Sequence, residues 1–160
     1  MLGCAAGGGS PQWNCRCEVC ALAWSGDSRV KRRTQASVAV CSFSSHAAGW
    51  CLLNCSPDIR EQIGRVEALR PRGELRGSPV SDVVLTNADI DHIGGLLSLR
   101  EGHRFTIHAT EDTLNVLKQN PVFDVLAADT VARFIEWNRR FILHHRLRHP
   151  LTMGREEIEQ

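Results

Sequence analysis

The sequence predicts an α/β fold, in which short apolar strands alternate with helices along the chain. Four segments have the composition of strands, namely 36–40, 50–54, 82–86 and 105–109. Helix signals follow the second and the fourth of these segments. With 160 residues, 42% of them hydrophobic, the chain can bury a core, and its length predicts one domain.

The segment after the second strand is predicted to begin a helix. Ser56 is the expected N-cap, Pro57 takes the first helical position, and Asp58 places a carboxylate in the first turn. Three apolar residues follow at helical spacing, Ile59, Ile63 and Val66. A loop with one proline and two glycines is then expected at 70–78.

The later part of the chain contains the third and fourth predicted strands. The third, 82–86, is apolar enough to be buried on both of its faces. The fourth, 105–109, is followed by a predicted helix from about Glu111 to Gln119. From about residue 134 the chain becomes rich in arginine and histidine and loses any strand pattern, which indicates a basic helix or a poorly ordered tail.

Charge and cysteine content exclude several classes of protein. The formal net charge of +1 gives no reason to expect nucleic acid or an acidic membrane surface as a partner. No apolar run approaches the length of a membrane span, and the start of the chain lacks the parts of a signal peptide. Seven cysteines are then better explained as metal ligands and buried thiols than as disulfides. We expect a cytoplasmic protein that does not insert into a membrane.

Three cysteines lie within six residues, at Cys15, Cys17 and Cys20. This C-x-C-x-x-C spacing brings three soft thiolates within reach of one ion, and tetrahedral zinc is the natural occupant. A fourth ligand must then come from elsewhere in the chain, and Trp13 is expected to shield the ion from water. The alternatives are reduced, metal-free thiols or a strained disulfide that leaves one cysteine unpaired.

A second group of polar residues directly follows the third strand, where Asn87, Asp89, Asp91 and His92 lie within six residues. Side chains at the end of a buried strand converge on a crevice, so this position is typical of a functional site. Carboxylate and imidazole groups suit iron, manganese or zinc. The alternative is that the two aspartates cap the next helix, with His92 as a hydrogen-bonded neighbour.

Several motifs, taken in order, resemble a known family. The D-x-D-H loop followed by Gly94 and Gly95 is similar to a degenerate metallo-β-lactamase signature, H-x-H-x-D-H-x-x-G. Together with motifs at 7–17, 33–35, 54–60 and 95–102, it closely resembles the pyrroloquinoline quinone (PQQ) biosynthesis protein B family. The resemblance runs from Leu2 to about Arg133 and covers only the N-terminal half of the family's usual length.

The resemblance implies a metallo-β-lactamase-like αββα sandwich, truncated to its first half. Residues 1–133 would be the N-terminal part of that domain, and 134–160 a basic tail that does not resemble the family. Because the missing second sheet would expose one inner face of the sandwich, one interpretation of this copy is a non-functional fragment.

The resemblance also implies a role in making PQQ, a redox cofactor built from a glutamate and a tyrosine. One implied role is oxidative tailoring of the precursor, by an iron-dependent oxygenase or hydroxylase and not a β-lactamase-type hydrolase. The alternative is an accessory protein that carries PQQ or its precursor towards the periplasm. The implied partners are PQQ or its precursor and other PQQ biosynthesis proteins.

For the D-x-D-H loop, the resemblance implies a single active-site metal. Asn87 and Asp89 stand where hydrolases of this superfamily have histidines, and a carboxamide is a poor ligand for a transition metal. The other half-site, Asp91 and His92, is intact. We therefore expect a mononuclear iron, with Asp91 and His92 as catalytic residues and Asp89 as a further candidate ligand.

Relatives with the same cysteine cluster hold a structural zinc whose fourth ligand is a distant histidine, so the resemblance makes Cys15, Cys17 and Cys20 its first three ligands. If the protein binds an anionic quinone, Arg60 and Arg100 are candidate substrate-binding residues. Arginine suits this role because it pairs with carboxylates through two parallel hydrogen bonds. Surface solvation is the alternative for both.

Overall fold

The computed structural model describes residues 1–41, 49–71, 73, 75–126 and 131–134, except for the side chains of the last two. Of the predicted basic tail, only residue 134 lies within these ranges, and the predicted boundary between 133 and 134 stays a prediction. None of the helices in these ranges is long and apolar enough to cross a membrane.

The described residues build a mixed sheet of five strands that stand side by side in chain order. The strands are β1 (Val38–Val40), β2 (Trp50–Leu53), β3 (Val80–Val84), β4 (Phe105–His108) and β5 (Val131–Phe134). β1 and β2 pair antiparallel, and every later pair is parallel. Parallel neighbours need long crossover connections, which explains the helices between them.

Four α-helices accompany the sheet in the part of the chain that the structure describes. They are α1 (Glu18–Ser25), α2 (Ile59–Arg65), α3 (Ile90–Ile93) and α4 (Glu111–Gln119). Short 3-10 segments follow the last three helices, at Glu67–Leu69, Gly94–Leu99 and Pro121–Val125. The α/β class and the metallo-β-lactamase-like fold expected from the sequence are both confirmed.

The predicted strands 36–40, 50–54 and 105–109 are confirmed with small changes at their ends, and the helix Glu111–Gln119 is confirmed. Its N-cap is Thr110, whose side-chain oxygen accepts the Thr113 N–H at 3.3 Å. The third strand begins two residues earlier than predicted. Its predicted burial on both faces is wrong, because Val83 and Leu85 are buried whereas Asp82 and Val84, which alternate with them, are half-buried.

The predicted N-cap at Ser56 is also wrong, since α2 begins at Ile59 with Asp58 at its N-cap position. Ser56 is fully buried, and its N–H donates to the Ser37 hydroxyl at 3.2 Å. The Asp58 carboxylate accepts the backbone N–H of Gln35 at 2.9 Å and does not cap α2. Both residues therefore join the start of this helix to the segment before β1.

One face of the sheet forms the buried core, with Leu52, Val83 and Ile107 paired across three strands and fully buried. The opposite face is half-buried and partly polar. There, Asp82 Oδ1 lies 2.8 Å from His108 Nε2. Burial acts to raise the pKa of Asp82, but hydrogen bonds with His108 and Ser81 hold it below its ordinary value.

The N-terminal segment runs alongside the residues that precede β1. Isolated bridges join Gly3 to Ser37 and Ser10 to Arg33. A Cβ atom on Gly3 would lie 2.0 Å from the Gln35 carbonyl oxygen, so only glycine permits this approach. This pairing places the glycine run 7–9 near the loop that follows β3.

Candidate metal centres

The structure brings together the three cysteines of the predicted zinc motif. The sulfur atoms of Cys15, Cys17 and Cys20 all lie within 4.8 Å of one another. Thiolates bound to tetrahedral zinc at about 2.3 Å would lie roughly 3.8 Å apart, so small rotations would let them hold the ion. All seven cysteines of the chain are free thiols, so none of the three is in a disulfide.

The cluster spans a turn and the first turn of α1. The N–H of Cys15 donates to the Gln12 carbonyl at 3.1 Å, Cys17 is the N-cap residue of α1, and Cys20 follows one helical turn later. The helix ends at Ser25 and is followed by Gly26, whose φ of 75° suits glycine. Sequence reasoning missed α1, although an acidic first turn and a glycine past the end are signals that predict one.

The thiols of Cys17 and Cys20 differ in the direction in which their pKa is shifted. Hydrogen bonds from the Cys20 backbone and with the neighbouring thiols lower the pKa of Cys17, which favours the thiolate form that binds metal. A hydrogen bond with the Gln12 backbone acts to lower the pKa of Cys20, but hydrogen bonding with Cys17 and burial outweigh it and raise that pKa. Trp13 is 80% exposed in the turn before α1, so the expectation that it shields the ion is wrong.

The loop after β3 brings together the second predicted group. One potential ligand atom from each of Asp89, Asp91 and His92 lies within 4.8 Å of the others. Asp91 Oδ1 is 3.1 Å from His92 Nδ1, and these two side chains are 15% and 20% exposed. Two carboxylates and an imidazole at the edge of the fold suit iron, manganese or zinc.

Asn87 orients this cluster. Its amide donates to Asp89 Oδ2 at 3.0 Å, and its side-chain oxygen accepts the Asp89 N–H at 3.0 Å. Asp89 occupies the N-cap position of α3, but its side chain makes no capping hydrogen bond. Asp91 contacts His92 and the N–H of Gly7, at 3.3 Å. The alternative in which both aspartates simply cap α3 is therefore wrong.

Backbone contacts from the end of β2 hold the loop in place. The N–H of Cys55 donates to the His92 carbonyl at 2.7 Å, and the N–H of Gly95 donates to the Cys55 carbonyl at 2.9 Å. A Cβ atom on Gly95 would lie 2.1 Å from the Ser56 carbonyl oxygen, so this contact requires glycine. The second glycine of the motif therefore allows close packing against the 54–56 segment.

Asn54 adds a second brace. Its side-chain oxygen accepts the N–H of Thr86 at 2.9 Å and the Thr86 hydroxyl at 3.0 Å, where β3 gives way to the loop. Its own backbone is left-handed, with φ of 59°. Sequence reasoning placed Asn54 in a motif but did not detect its role, because the partner lies 32 residues away.

The two predicted substrate-binding arginines do not contact the carboxylates of this cluster. Arg100 donates to the Leu97 carbonyl at 2.7 Å and lies 3.4 Å from the Glu101 carboxylate. Arg60 is exposed on α2. Within the part of the chain that the structure describes, neither makes a hydrogen bond or ion pair with Asp89 or Asp91. Their role in substrate binding stays a prediction.

Comparison with known families and curated proteins gives consistent matches. Residues 49–154 match the family model described as Beta-lactamase superfamily domain. The coenzyme PQQ synthesis protein B of Methylorubrum extorquens strain AM1 is 57% identical over 133 residues, which is 83% of this chain and 44% of that protein. The protein of the same name from Xanthomonas campestris pv. campestris strain B100 is 50% identical over the same shares.

Two solved structures are similar to this chain. The crystal structure of Zn²⁺-bound PqqB from Methylobacterium extorquens has a TM-score of 0.79 and 56% identity, and a diphosphatase of the PhnP family has 0.60 and 29%. Each match covers 83% of this chain and 47% of the other, so the chain spans about half the length of these relatives. The chain therefore belongs to the β-lactamase superfamily domain family, and its predicted resemblance to PQQ biosynthesis protein B is confirmed.

Proposed function

We propose that this chain acts in PQQ biosynthesis as the N-terminal part of a protein of the PQQ synthesis protein B type. The observation that supports this most strongly is the 57% identity to such a protein over 133 residues, a span that includes most of the chain. The cytoplasmic location and the other PQQ biosynthesis proteins as partners stay predictions.

The proposed chemistry is oxidative tailoring of a precursor derived from glutamate and tyrosine, at one metal ion held by the loop after β3. Iron bound there would supply redox and oxygen chemistry. An ionised carboxylate only accepts hydrogen bonds, so the contact of Asp91 Oδ1 with His92 Nδ1 would hold the proton on Nδ1 and would leave Nε2 of His92 as the ligand atom. Asp89 and Asp91 offer the remaining carboxylate lone pairs, and Asn87 orients Asp89.

A second part of the proposal is a structural zinc at Cys15, Cys17 and Cys20. It is supported by the proximity of the three sulfur atoms and by the similarity to a Zn²⁺-bound relative. Thiolates are soft ligands and the loop after β3 offers oxygen and nitrogen, so the two clusters are expected to prefer different metals.

Complementation tests the proposed function. This chain would be expressed in a bacterial strain that lacks PQQ synthesis protein B, and PQQ would be measured alongside the iron content of the purified protein. We expect Asp91→Ala and His92→Ala to abolish PQQ production and iron binding. Asn87→Ala should be milder because it acts through Asp89, and Asn115→Ala, on the exposed side of α4, should match the wild type.

Three outcomes would each contradict a part of the proposal. Failure of the expressed and folded wild-type chain to restore PQQ would overturn the function of this chain. Full rescue by His92→Ala would overturn metal chemistry at the loop and would favour the carrier role. A loss with Asn87→Ala as severe as that with His92→Ala would indicate a centre with two metal sites.

A further inference from the structure

A polar cleft of about 130 Å³ lies between the N-terminal glycine run and α2. Its walls include the backbone at Gly8 and Gly9 and five charged side chains: Arg32, Arg33, Arg65, Asp58 and Glu61. Three cations against two carboxylates leave the cleft with one net positive charge. Neither predicted substrate-binding arginine, Arg60 or Arg100, lines it.

The acidic groups of the cleft already have partners. Asp58 accepts the backbone N–H of Gln35 at 2.9 Å, and Glu61 forms an ion pair with Arg65. With Glu61 and Arg65 neutralising each other, Arg32 and Arg33 together outweigh Asp58 and give the cleft its one net positive charge. Within the described ranges, neither of these two arginines forms an ion pair with a carboxylate.

Both arginines retain unused N–H donors. The Arg32 guanidinium carbon lies 5.0 Å from the centre of the Trp24 ring, an arrangement that leaves the guanidinium edge free to donate. Arg33 donates to the Cys4 sulfur at 3.0 Å, and a thiol is a weak acceptor. A guanidinium has five N–H donors in a planar fork, so either side chain can pair with a carboxylate through two parallel hydrogen bonds.

The cleft adjoins the carboxylate–histidine cluster through shared backbone. Gly7, which precedes the cleft-lining Gly8, donates its N–H to Asp91 Oδ2 at 3.3 Å. The Gln35 side chain donates to the Gly7 carbonyl, and the Gln35 backbone donates to Asp58 in the cleft wall. A ligand held in the cleft would therefore lie beside the loop that is proposed to bind metal.

We propose that this cleft anchors a carboxylate of the substrate through Arg32 and Arg33, so that the substrate is a carboxylate-bearing molecule. The inference rests on the proposed function for the adjacent metal chemistry, but carboxylate binding is argued from the residues of the cleft alone. In this proposal Arg32 and Arg33 bind the substrate carboxylate, in place of the Arg60 and Arg100 expected from the sequence. Arg65 contributes less because Glu61 neutralises it.

Calorimetric titration of this chain with benzene-1,3,5-tricarboxylate tests the inference, and the uncharged tricarboxamide serves as the matched ligand control. We expect the tricarboxylate to bind and the amide not to bind. Arg33→Gln and Arg32→Gln should each raise the dissociation constant about tenfold, because each removes a charge-assisted pair. Arg60→Gln, also an exposed arginine, should change it by less than about twofold.

Circular dichroism and zinc content would establish that each variant is folded, and Arg32→Gln decides the matter if Arg33→Gln does not fold. Absence of tricarboxylate binding by the folded wild-type chain would overturn the inference. A loss with Arg60→Gln as large as with Arg33→Gln would overturn it too. Binding that depends on Arg33 in a chain that fails to restore PQQ would support the cleft while overturning the proposed function.

Discussion

The two candidate metal clusters differ in the sequence distance between their side chains and the residues that hold them in place. The thiol cluster is built by a turn at Gln12 and the first turn of α1, so all of its parts lie within a few residues of Cys15 and Cys20. The carboxylate–histidine cluster receives a hydrogen bond from Gly7, 84 residues away, and its backbone is held by Cys55.

This difference predicts that the two clusters respond differently to substitutions elsewhere in the fold. Local hydrogen bonds and helix formation can assemble the thiol cluster even where the rest of the fold is weakened. The second cluster depends on the register of β2 against β3, because the residues that brace it leave the ends of those strands. Substitutions in the 54–56 segment, or at the residues it contacts, should therefore affect the carboxylate–histidine cluster but not the thiol cluster.

The largest effect is expected at the thiol cluster itself. Cys17→Ser should reduce bound zinc from about one equivalent to nearly none, since two thiolates and water hold zinc far less tightly than three thiolates. Elemental analysis of protein purified without chelator would measure this loss. Cys41→Ser, at an exposed cysteine outside the cluster, and His92→Ala should keep the zinc. Equal zinc in the wild type and Cys17→Ser would contradict the assignment.

A large effect on the second cluster is expected from Gly95→Ala. The new Cβ atom would meet the Ser56 carbonyl oxygen at 2.1 Å and the Cys55 carbonyl oxygen at 2.8 Å. We expect a loss of about 2–3 kcal/mol in the free energy of unfolding, measured with urea, and reduced iron binding with zinc unchanged. Loss of zinc together with iron would contradict the claim that the thiol cluster forms independently of the other cluster.

Gly64→Ala is the matched control, since Gly64 lies in α2 with open space around its Cα atom. Alanine is favoured over glycine within helices, so this change should raise the free energy of unfolding by about 0.5–1 kcal/mol. A loss of stability similar to that of Gly95→Ala would show that the close approach at Gly95 is not the cause.

A smaller effect is expected from Asn54, which has a left-handed backbone and two hydrogen bonds to Thr86. Asn54→Ala should lower the free energy of unfolding by about 1–2 kcal/mol, because it loses both bonds and strains the backbone. Asn54→Gly should cost less, because glycine adopts this φ readily. Urea unfolding of the two variants measures the difference, and an equal or larger loss with glycine would exclude backbone strain as a contributor.

Local signals account for the parts of the fold that were predicted correctly. The helix Glu111–Gln119 has a capping threonine, acidic residues in its first turn and apolar residues at helical spacing, all of which lie in a short window. Ser56 shows the limit of such reasoning. Its position before Pro57 is typical of an N-cap, but the buried contact with Ser37 displaces the start of α2 to Ile59.

The sequence by itself determined which residues are candidate metal ligands, because C-x-C-x-x-C and D-x-D-H place these side chains within one turn or one loop. Only the tertiary structure decided what surrounds those ligands. The contact of Gly7 with Asp91, the brace from Cys55 and the charged cleft at Arg32 and Arg33 join segments that are distant in sequence. The physical reason is that capping and ligand spacing depend on near neighbours, whereas these contacts follow from how strands pair in the sheet.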